Sequence, residues 1–312
     1  MLANSSGLLN TRFLRKLAPT VFATAMNSQQ QHPPIFSCEF FPPHDEAGIA
    51  QLRQSRKELL RLRPAFFSVT YGAGGSTRDR TIGTILEIQR EGTVLAAPHL
   101  TCIGSTSDNI RAILEHYQSQ GIRRIVALRG DLPSGTYVPG EFRYANELVA
   151  FIRVETGSHF HIEVAAYPEL HPQSSSVDQD LSNFRRKVEA GANSAITQYF
   201  YNCDAYFNFI DSCEKLDIDL PIVPGIMPIT NYKQLARFSD TCGAEIPRWI
   251  RKRLESFGDD LASLRAFGLD VVTELCQRLL EQGAPGLHFY TMNRAGPTLA
   301  IWDRLGLSAS KV

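Results

Sequence analysis

The sequence lacks the cysteine spacing of metal centres and of disulfide-rich secreted proteins. Its six cysteines are scattered singly along 312 residues, and no CxxC pair occurs. This distribution argues against a zinc site and a disulfide scaffold, and a reducing cytoplasm is its simplest setting. No apolar run approaches the roughly 18 residues that a membrane span requires. We therefore expect a cytoplasmic protein with no metal and no membrane partner.

The formal net charge of the chain at pH 7 is zero. The 32 Lys and Arg residues balance 32 Asp and Glu residues, so the charge does not indicate a nucleic-acid partner or an anionic membrane. With 43% hydrophobic residues, a chain of this length can bury a full core as one large domain or two ordinary ones.

Acidic residues are absent from the first 38 positions, which carry Arg12, Arg15 and Lys16. An acid-free leader that contains arginine and serine resembles an organelle transit peptide. The alternative, which we favour, is an upstream start codon with Met26 as the true start. In either case we predict a leader or disordered segment over 1–33 and a single catalytic domain over 34–312.

A repeated pattern of strand and helix begins at residue 35. Short apolar runs end in polar tips that contain glycine or proline, and segments with helical spacing follow them. The eight predicted strands cover 35–41, 65–71, 94–100, 124–131, 162–169, 194–200, 220–226 and 286–293.

Eight such units favour an α/β fold of the closed (β/α)8 type, a TIM barrel, over an open parallel sheet. An open doubly wound sheet would normally carry GxGxxG after its first strand, and residues 40–48, FFPPHDEAG, lack it. The long stretch from about 230 to 285 predicts extra helices before the last strand.

Glu39 is a lone carboxylate in the apolar run FSCEFFPP, at the C-terminal end of the first predicted strand. Catalytic groups of a barrel lie at these ends. Strand alternation places Ile35, Ser37 and Glu39 inside the barrel and the residues between them against the outer helices. Aromatic walls would desolvate Glu39 and raise its pKa above about 4.3, which suits general acid catalysis near neutrality. The alternative is a salt bridge with an inward Arg or Lys.

Several other polar residues, most of them at strand ends, are candidates for contact with a ligand. Asp131 either faces a ligand or belongs to a Gly-Asp turn. His99 is either a metal ligand with Cys102 or, for want of a third ligand nearby, a hydrogen-bonding side chain. Gln198 is a neutral amide suited to the edge of a heterocycle. The run NFRRK (183–187) is either a phosphate contact or a solvated helix face, and the pattern alone favours the second.

In order along the chain, the strand ends resemble the methylenetetrahydrofolate reductase family in its bacterial, single-domain form. The matching segments, between 36 and about 305, are EFFPP, SVTYGAGGSTRDR, APHLTC, ALRGDLP, AAYPELHP, RKVEAGANSAITQYFYN, PGIMPI and FYTMNRA. The resemblance implies a barrel that binds FAD non-covalently and reduces 5,10-methylenetetrahydrofolate to 5-methyltetrahydrofolate with NADH or NADPH. Nicotinamide and folate would use one flavin face in turn, with ping-pong kinetics, and the product would feed methionine synthesis. A homo-oligomer, dimer or tetramer, is also expected.

The same resemblance assigns roles to individual residues. The FAD contacts that it implies are Thr70, Tyr71, Ala73, His99, Leu128, Arg129, Gly130, Asp131, Tyr144, Ala145, Tyr167, His171, Asp180, Asn183, Arg186 and Lys187. The implied folate contacts are Asp131, Gln198, Gln234, Phe238, Tyr290 and Arg294, with Gln198 also serving the nicotinamide. Glu39 matches the general acid that protonates N10, so that the methylene bridge opens to an iminium at N5, and Asp131 would stabilise that cation. Arg186 and Lys187 would contact the diphosphate and ribose, which reverses the interpretation of 183–187 as a solvated face.

Some positions depart from the family pattern. Cys38 occupies a position often filled by a larger apolar residue, and we expect only a packing change there. The loop 133–143, next to Tyr144, differs in detail. We expect no C-terminal regulatory domain, and therefore no control by S-adenosylmethionine. Two alternatives stay open: another flavin barrel, similar to proline dehydrogenase, and a barrel that binds folate or flavin without catalysis.

Overall fold

The computed structural model describes residues 26–71, 75–131 and 140–307, with the backbone alone over 75–79. The described chain contains parallel strands that alternate with helices. The strands are β1 (Ile35–Phe40), β2 (Phe66–Val69), β3 (Leu95–Thr101), β4 (Arg124–Leu128), β5 (His161–Ala166), β6 (Ser194–Thr197), β7 (Ile222–Val223), β8 (Gly225–Ile226) and β9 (Gly286–Tyr290). Their order in the sheet is β7-β6-β5-β4-β3-β2-β1-β9-β8, and every neighbouring pair is parallel.

The two edges of this sheet, β7 and β8, are separated in the chain only by Pro224. Proline has no backbone N–H and interrupts the ladder at that point, although its carbonyl still accepts from His288 N at 3.0 Å. The nine strands therefore form a nearly closed eight-unit barrel whose seventh strand is split. The predicted (β/α)8 fold is confirmed, and the predicted strand 220–226 corresponds to two short strands.

Helices surround the barrel. They are α1 (Asn27–Gln30), α2 (Glu46–Leu59), α3 (Gly75–Glu91), α4 (Ser107–Ser119), α5 (Ala145–Thr156), α6 (Val177–Glu189), α7 (Cys203–Glu214), α8 (Tyr232–Cys242), α9 (Arg248–Ser256), α10 (Leu261–Glu281) and α11 (Ala295–Arg304). Three of them, α8 to α10, separate β8 from β9, as the long stretch before the last strand predicted. None of the described helices combines the length and the hydrophobicity that a bilayer crossing requires.

The alternation predicted for β1 is present. Cys38 and Phe40 are buried in the outer core between the strands and the helices, and the Phe36 ring lies 4.8 Å from the Trp302 ring of α11. Ile35 packs instead on the small inner core that contains Phe66. Glu39 therefore faces the interior of the barrel, as its sequence position predicted.

Residues 26–31, which the sequence analysis assigned to the leader or disordered segment, are part of the fold. They include helix α1, and Gln29 within it is fully buried. Its Nε2 donates to Leu220 O at 3.2 Å, and its Oε1 accepts from Ile222 N at 2.8 Å. The sequence does not predict this contact, because Gln29 stands in a polar run and its partners belong to β7 and the loop before it, far along the chain. Residues 1–25 lie outside the described chain.

Replacing Gln29 with alanine is expected to lower the free energy of unfolding by about 1–3 kcal/mol, because a buried carbonyl and a buried N–H lose their partner. The measurement is urea denaturation of the full chain. Gln30→Ala is the matched control, since Gln30 is exposed, and it should change stability by no more than about 0.5 kcal/mol. Equal stability of the two variants would show that the two bonds of Gln29 contribute nothing to stability.

Candidate active site

A cavity of about 430 Å³ opens at the C-terminal ends of the strands. Most of its lining is apolar, and it includes Val126 and Ile196 of the barrel together with Phe238 and Cys242 of α8. Glu39 supplies the one carboxylate among the described lining residues. The cavity therefore holds an acid in apolar surroundings, at the end of the barrel where catalytic groups lie.

Two histidines lie on either side of the Glu39 carboxylate in the sheet order, one on β3 and one on β9. His99 Nε2 lies 3.2 Å from Glu39 Oε2, and His288 Nε2 lies 3.6 Å from the same oxygen. On its other side, the His288 ring is held by Ser37, whose Oγ is 2.8 Å from Nδ1. Ser37 and His288 are fully buried, and Glu39 is 17% exposed towards the cavity. Two inward histidines thus contact one carboxylate oxygen, and Ser37 of the same strand as Glu39 holds one of them in place.

The environment of Glu39 reverses the predicted shift of its pKa. Burial raises the pKa, as expected, but the charge of His99, one hydrogen bond from each of His288 and His99, and the charge of His288 outweigh burial and lower it from 4.5 to about 2. The prediction of a raised pKa is therefore wrong. The alternative of a salt bridge with an inward Arg or Lys is also wrong, because the ion-pair partners of Glu39 among the described residues are His99 and His288.

His288 is the functional residue that sequence reasoning missed. The sequence predicts a strand over 286–293, and the family resemblance assigns roles only to Tyr290 and Arg294 near its end. Since alternate residues of a strand share a face, the inward position of Tyr290 already implied that His288 points into the barrel. The alternation of inward and outward residues along the strand is therefore the signal that indicates His288.

One wall of the cavity depends on a close backbone approach at Gly225. The Tyr290 hydroxyl donates to Thr197 O at 2.8 Å, so its ring spans the space between β9 and β6. A Cβ at Gly225 would lie 2.1 Å from Thr197 O and 2.6 Å from Tyr290 Cε2. Only glycine fits there, and its absence of a side chain lets Tyr290 reach across the split seventh strand.

A second cavity, of about 450 Å³, adjoins the first and shares Leu128, Ala165 and Tyr167 with it. Its lining is more polar and includes most of the predicted cofactor residues. These are Leu128, Arg129, Gly130, Asp131, Tyr144, Ala145, Tyr167, His171, Asp180, Asn183, Arg186 and Lys187. Of the other four, Thr70 and His99 line the first cavity, Tyr71 lines neither, and Ala73 lies outside the described residues.

Lys187 is the most strongly perturbed cation in this second cavity. Burial lowers its pKa from 10.5 to about 8, partly opposed by Asp180. Its Nζ donates to Ala165 O at 2.5 Å. Asp180 in turn accepts from His171 N at 2.8 Å, and the His171 ring meets the Tyr167 ring edge-on at 4.5 Å. A buried ammonium has lost most of its hydration, so an anionic ligand that binds beside it stabilises its charged form.

The predicted folate residues divide into two groups. Gln198, Phe238 and Tyr290 line the first cavity, and Asp131 is exposed and lines the second. Gln234 and Arg294 line neither cavity: Gln234 is an exposed residue of α8, and Arg294 directly precedes α11.

Cys102 does not join His99 in a metal site. Its thiol is 3.7 Å from both Arg129 O and Tyr144 O, and burial raises its pKa to about 12. Within 26–71, 75–131 and 140–307, no group of three or more His, Cys, Asp or Glu side chains is arranged to hold a metal ion. Of the two roles considered for His99, its contact with Glu39 agrees with that of a hydrogen-bonding side chain.

Comparison with known proteins matches this chain to one family. A family model described as methylenetetrahydrofolate reductase matches residues 24–306. The 5,10-methylenetetrahydrofolate reductase of Escherichia coli is 43% identical over 271 residues, which cover 87% of this chain and 90% of that protein. Methylenetetrahydrofolate reductase (NADH) 1 of Arabidopsis thaliana is 38% identical, and the match covers 89% of this chain and 49% of that protein.

Among solved structures, the fold is similar to that of an uncharacterized protein from Clostridium thermocellum that binds two copies of 5-methyl-5,6,7,8-tetrahydrofolic acid. The TM-score is 0.60 at 18% identity, with 91% of this chain and 95% of that chain covered. The likeness supports the barrel fold, and the family rests on the sequence matches. This chain belongs to the methylenetetrahydrofolate reductase family.

Proposed function

We propose that this protein reduces 5,10-methylenetetrahydrofolate to 5-methyltetrahydrofolate with electrons from NADH or NADPH, using non-covalently bound FAD. The observation that carries the proposal is the position of Glu39. It is the one described carboxylate in an apolar cavity at the barrel mouth, 3.2 Å from His99, and this cavity continues into a polar one. A carboxyl group at an apolar surface adjoining a charged pocket suits the reduction of a heterocycle, which adds both a hydride and a proton.

The two cavities fit the halves of FAD. The apolar one suits a flat ring system, and the polar one offers Arg186 and Lys187 for a diphosphate. Gly130 adopts φ +83°, and a Cβ there would lie 2.9 Å from Thr101 Cβ, so glycine brings the backbone before Asp131 close to β3. FAD, when bound, supplies the hydride relay from the nicotinamide to the folate.

Glu39 is the residue that we assign to proton delivery at N10 of the folate. A pKa near 2 means that Glu39 is ionised at neutrality before the folate binds, so it must take up a proton from solvent before it can deliver one to N10. Exclusion of water by the bound folate raises the free energy of the carboxylate and favours its protonated form.

The remaining contacts position the substrate. We assign Phe238 to stacking on the aminobenzoate, Gln198 and Tyr290 to the pterin and Arg294 to the glutamate carboxylates. Asp131 is assigned to stabilising the iminium cation at N5. Gln198 Oε1 already accepts from Tyr199 N at 3.0 Å, which orients its NH₂ group as a donor.

Lys187→Met is expected to weaken FAD binding by about 10- to 100-fold, because one charge-assisted hydrogen bond contributes about 1.5–3 kcal/mol. In the wild type, FAD affinity should fall as the pH rises through about 8, since Lys187 loses its charge there. The measurement is fluorescence titration of apoprotein with FAD. Arg185→Met is the control: Arg185 lies on the same helix, is exposed and pairs with Glu189. Equal weakening in both variants would contradict the assignment of Lys187.

The direct test of the proposed function is product analysis. Holoprotein incubated without oxygen with NADH or NADPH and 5,10-methylenetetrahydrofolate should yield 5-methyltetrahydrofolate by chromatography. A yellow protein that oxidises the nicotinamide but leaves the folate unchanged would indicate another flavin barrel. A protein that binds the folate and consumes no nicotinamide would indicate a binding protein. The homo-oligomeric state, the cytoplasmic location and the absence of nucleic-acid and membrane partners stay predictions.

A further inference from the structure

A side chain holds the C-terminal end of β1 beyond the last residues that pair with β9. The β1–β9 register ends at Glu39 and Tyr290, yet the chain continues through Phe41 before two prolines. Phe41 N donates to Asn293 Oδ1 at 3.0 Å, and Asn293 Nδ2 donates to Phe41 O at 2.8 Å. A carboxamide offers the same donor and acceptor as a peptide group, so Asn293 takes the place of the missing ladder partner.

The backbone at this point adopts an uncommon conformation. Met292 and Asn293 have φ angles of +51° and +57°, a region that asparagine tolerates better than most residues. Asn293 is buried, its N donates to Thr291 Oγ1 at 3.2 Å, and its O accepts from Ser55 Oγ at 2.9 Å. The left-handed pair lies between β9 and α11, and the two carboxamide bonds to Phe41 connect it to β1.

This turn determines what the two strand tips present to the cavity. Met292 lines the cavity together with Glu39 and Phe41, and Arg294, the residue after Asn293, occupies the N-cap position of α11. Thr291, just before the turn, donates from Oγ1 to Glu39 O at 2.6 Å. Side-chain hydrogen bonds from Thr291, just before the turn, and from Asn293, within it, thus connect the chain after β9 to Glu39 and Phe41.

We propose that Asn293 is a positioning residue for the reduction of the folate: its carboxamide fixes the distance between Glu39 and the folate-facing residues of the β9 tip. The inference rests on the proposed function. Proton delivery requires Glu39 to meet N10 while Tyr290 and Arg294 hold the substrate, and a displacement of about 1 Å can lower a rate by about 100-fold. The nicotinamide step needs no proton from Glu39 and is not expected to depend on Asn293.

The test compares the two half-reactions by anaerobic stopped flow in wild type, Asn293→Gly, Asn293→Asp and Ser55→Ala. Glycine accepts φ +57° but removes both bonds to Phe41. Aspartate accepts from Phe41 N but cannot donate to Phe41 O. Ser55→Ala removes a bond to the Asn293 backbone and leaves the carboxamide in place. Thermal unfolding of each variant, with FAD bound, accompanies the kinetics.

We expect both Asn293 variants to lose about 10- to 100-fold in kcat for the folate step, with KM for the folate and the rate of the nicotinamide step within about threefold of wild type. Ser55→Ala should match wild type in both steps. Equal losses in both half-reactions, or an unchanged folate step, would overturn the inference. If Asn293→Gly does not fold, Asn293→Asp decides by the same criteria. Wild-type protein that fails to reduce the folate would overturn the proposed function, and the inference with it.

Discussion

Glu39→Gln is expected to slow reduction of the folate by about 10²- to 10⁴-fold, the range that general acid catalysis contributes. The nicotinamide half-reaction should stay within about twofold of wild type, because it requires no proton at the position of Glu39. Glutamine has nearly the size of glutamate and can still meet His99 and His288, so the cavity keeps its shape. What the variant loses is the ability to hold and release a proton at Oε2.

The measurement is single-turnover stopped flow of each half-reaction separately. Glu189→Gln is the control, since it only removes an exposed ion pair with Arg185 on α6, and both steps should be unchanged. A Glu39→Gln variant that loses both half-reactions to the same extent would show that this carboxylate holds the barrel mouth together and does not act in proton transfer.

Gly225→Ala is the second large effect that we expect. The new Cβ would lie 2.1 Å from Thr197 O, a backbone atom that cannot move without shifting β6, and 2.6 Å from the Tyr290 ring. Overpacking of this kind costs about 1–3 kcal/mol and sometimes more. Tyr290 would also be displaced, so the folate KM should rise at least about tenfold.

Urea denaturation and folate kinetics measure these two consequences. Gly83→Ala is the matched control: it lies in helix α3, and its Cβ would meet nothing within 4 Å. It should leave activity unchanged and stabilise the protein by up to about 1 kcal/mol, the difference in helix propensity between alanine and glycine. Wild-type stability and folate KM in Gly225→Ala would contradict the close packing of β6, β8 and β9.

The sequence predicted the barrel and the direction of Glu39 because both depend on local periodicity. Alternating strand and helix patterns indicated the (β/α)8 fold, and strand parity placed Glu39 inside. The split of the seventh strand was not predicted, because whether Pro224 breaks a ladder depends on which backbone groups face it. The same applies to Gln29, whose partners lie near β7.

The direction of the pKa shift of Glu39 could not be predicted, because it depends on strands that are far from β1 in the sequence. Apolar neighbours in the sequence indicated desolvation alone, and burial does raise the pKa. The imidazoles that reverse it come from β3 and β9, on either side of β1 in the barrel. The sequence alone suggests other roles for His99 and none for His288. The positions of these rings relative to one carboxylate follow only from the closed sheet.

Anaerobic stopped flow on the wild-type holoprotein tests the central claim most directly. NADH or NADPH should bleach the yellow flavin, and 5,10-methylenetetrahydrofolate added to the bleached enzyme should restore the colour in one exponential phase while 5-methyltetrahydrofolate appears in equal amount. Bleached enzyme that stays colourless with the folate would contradict the account.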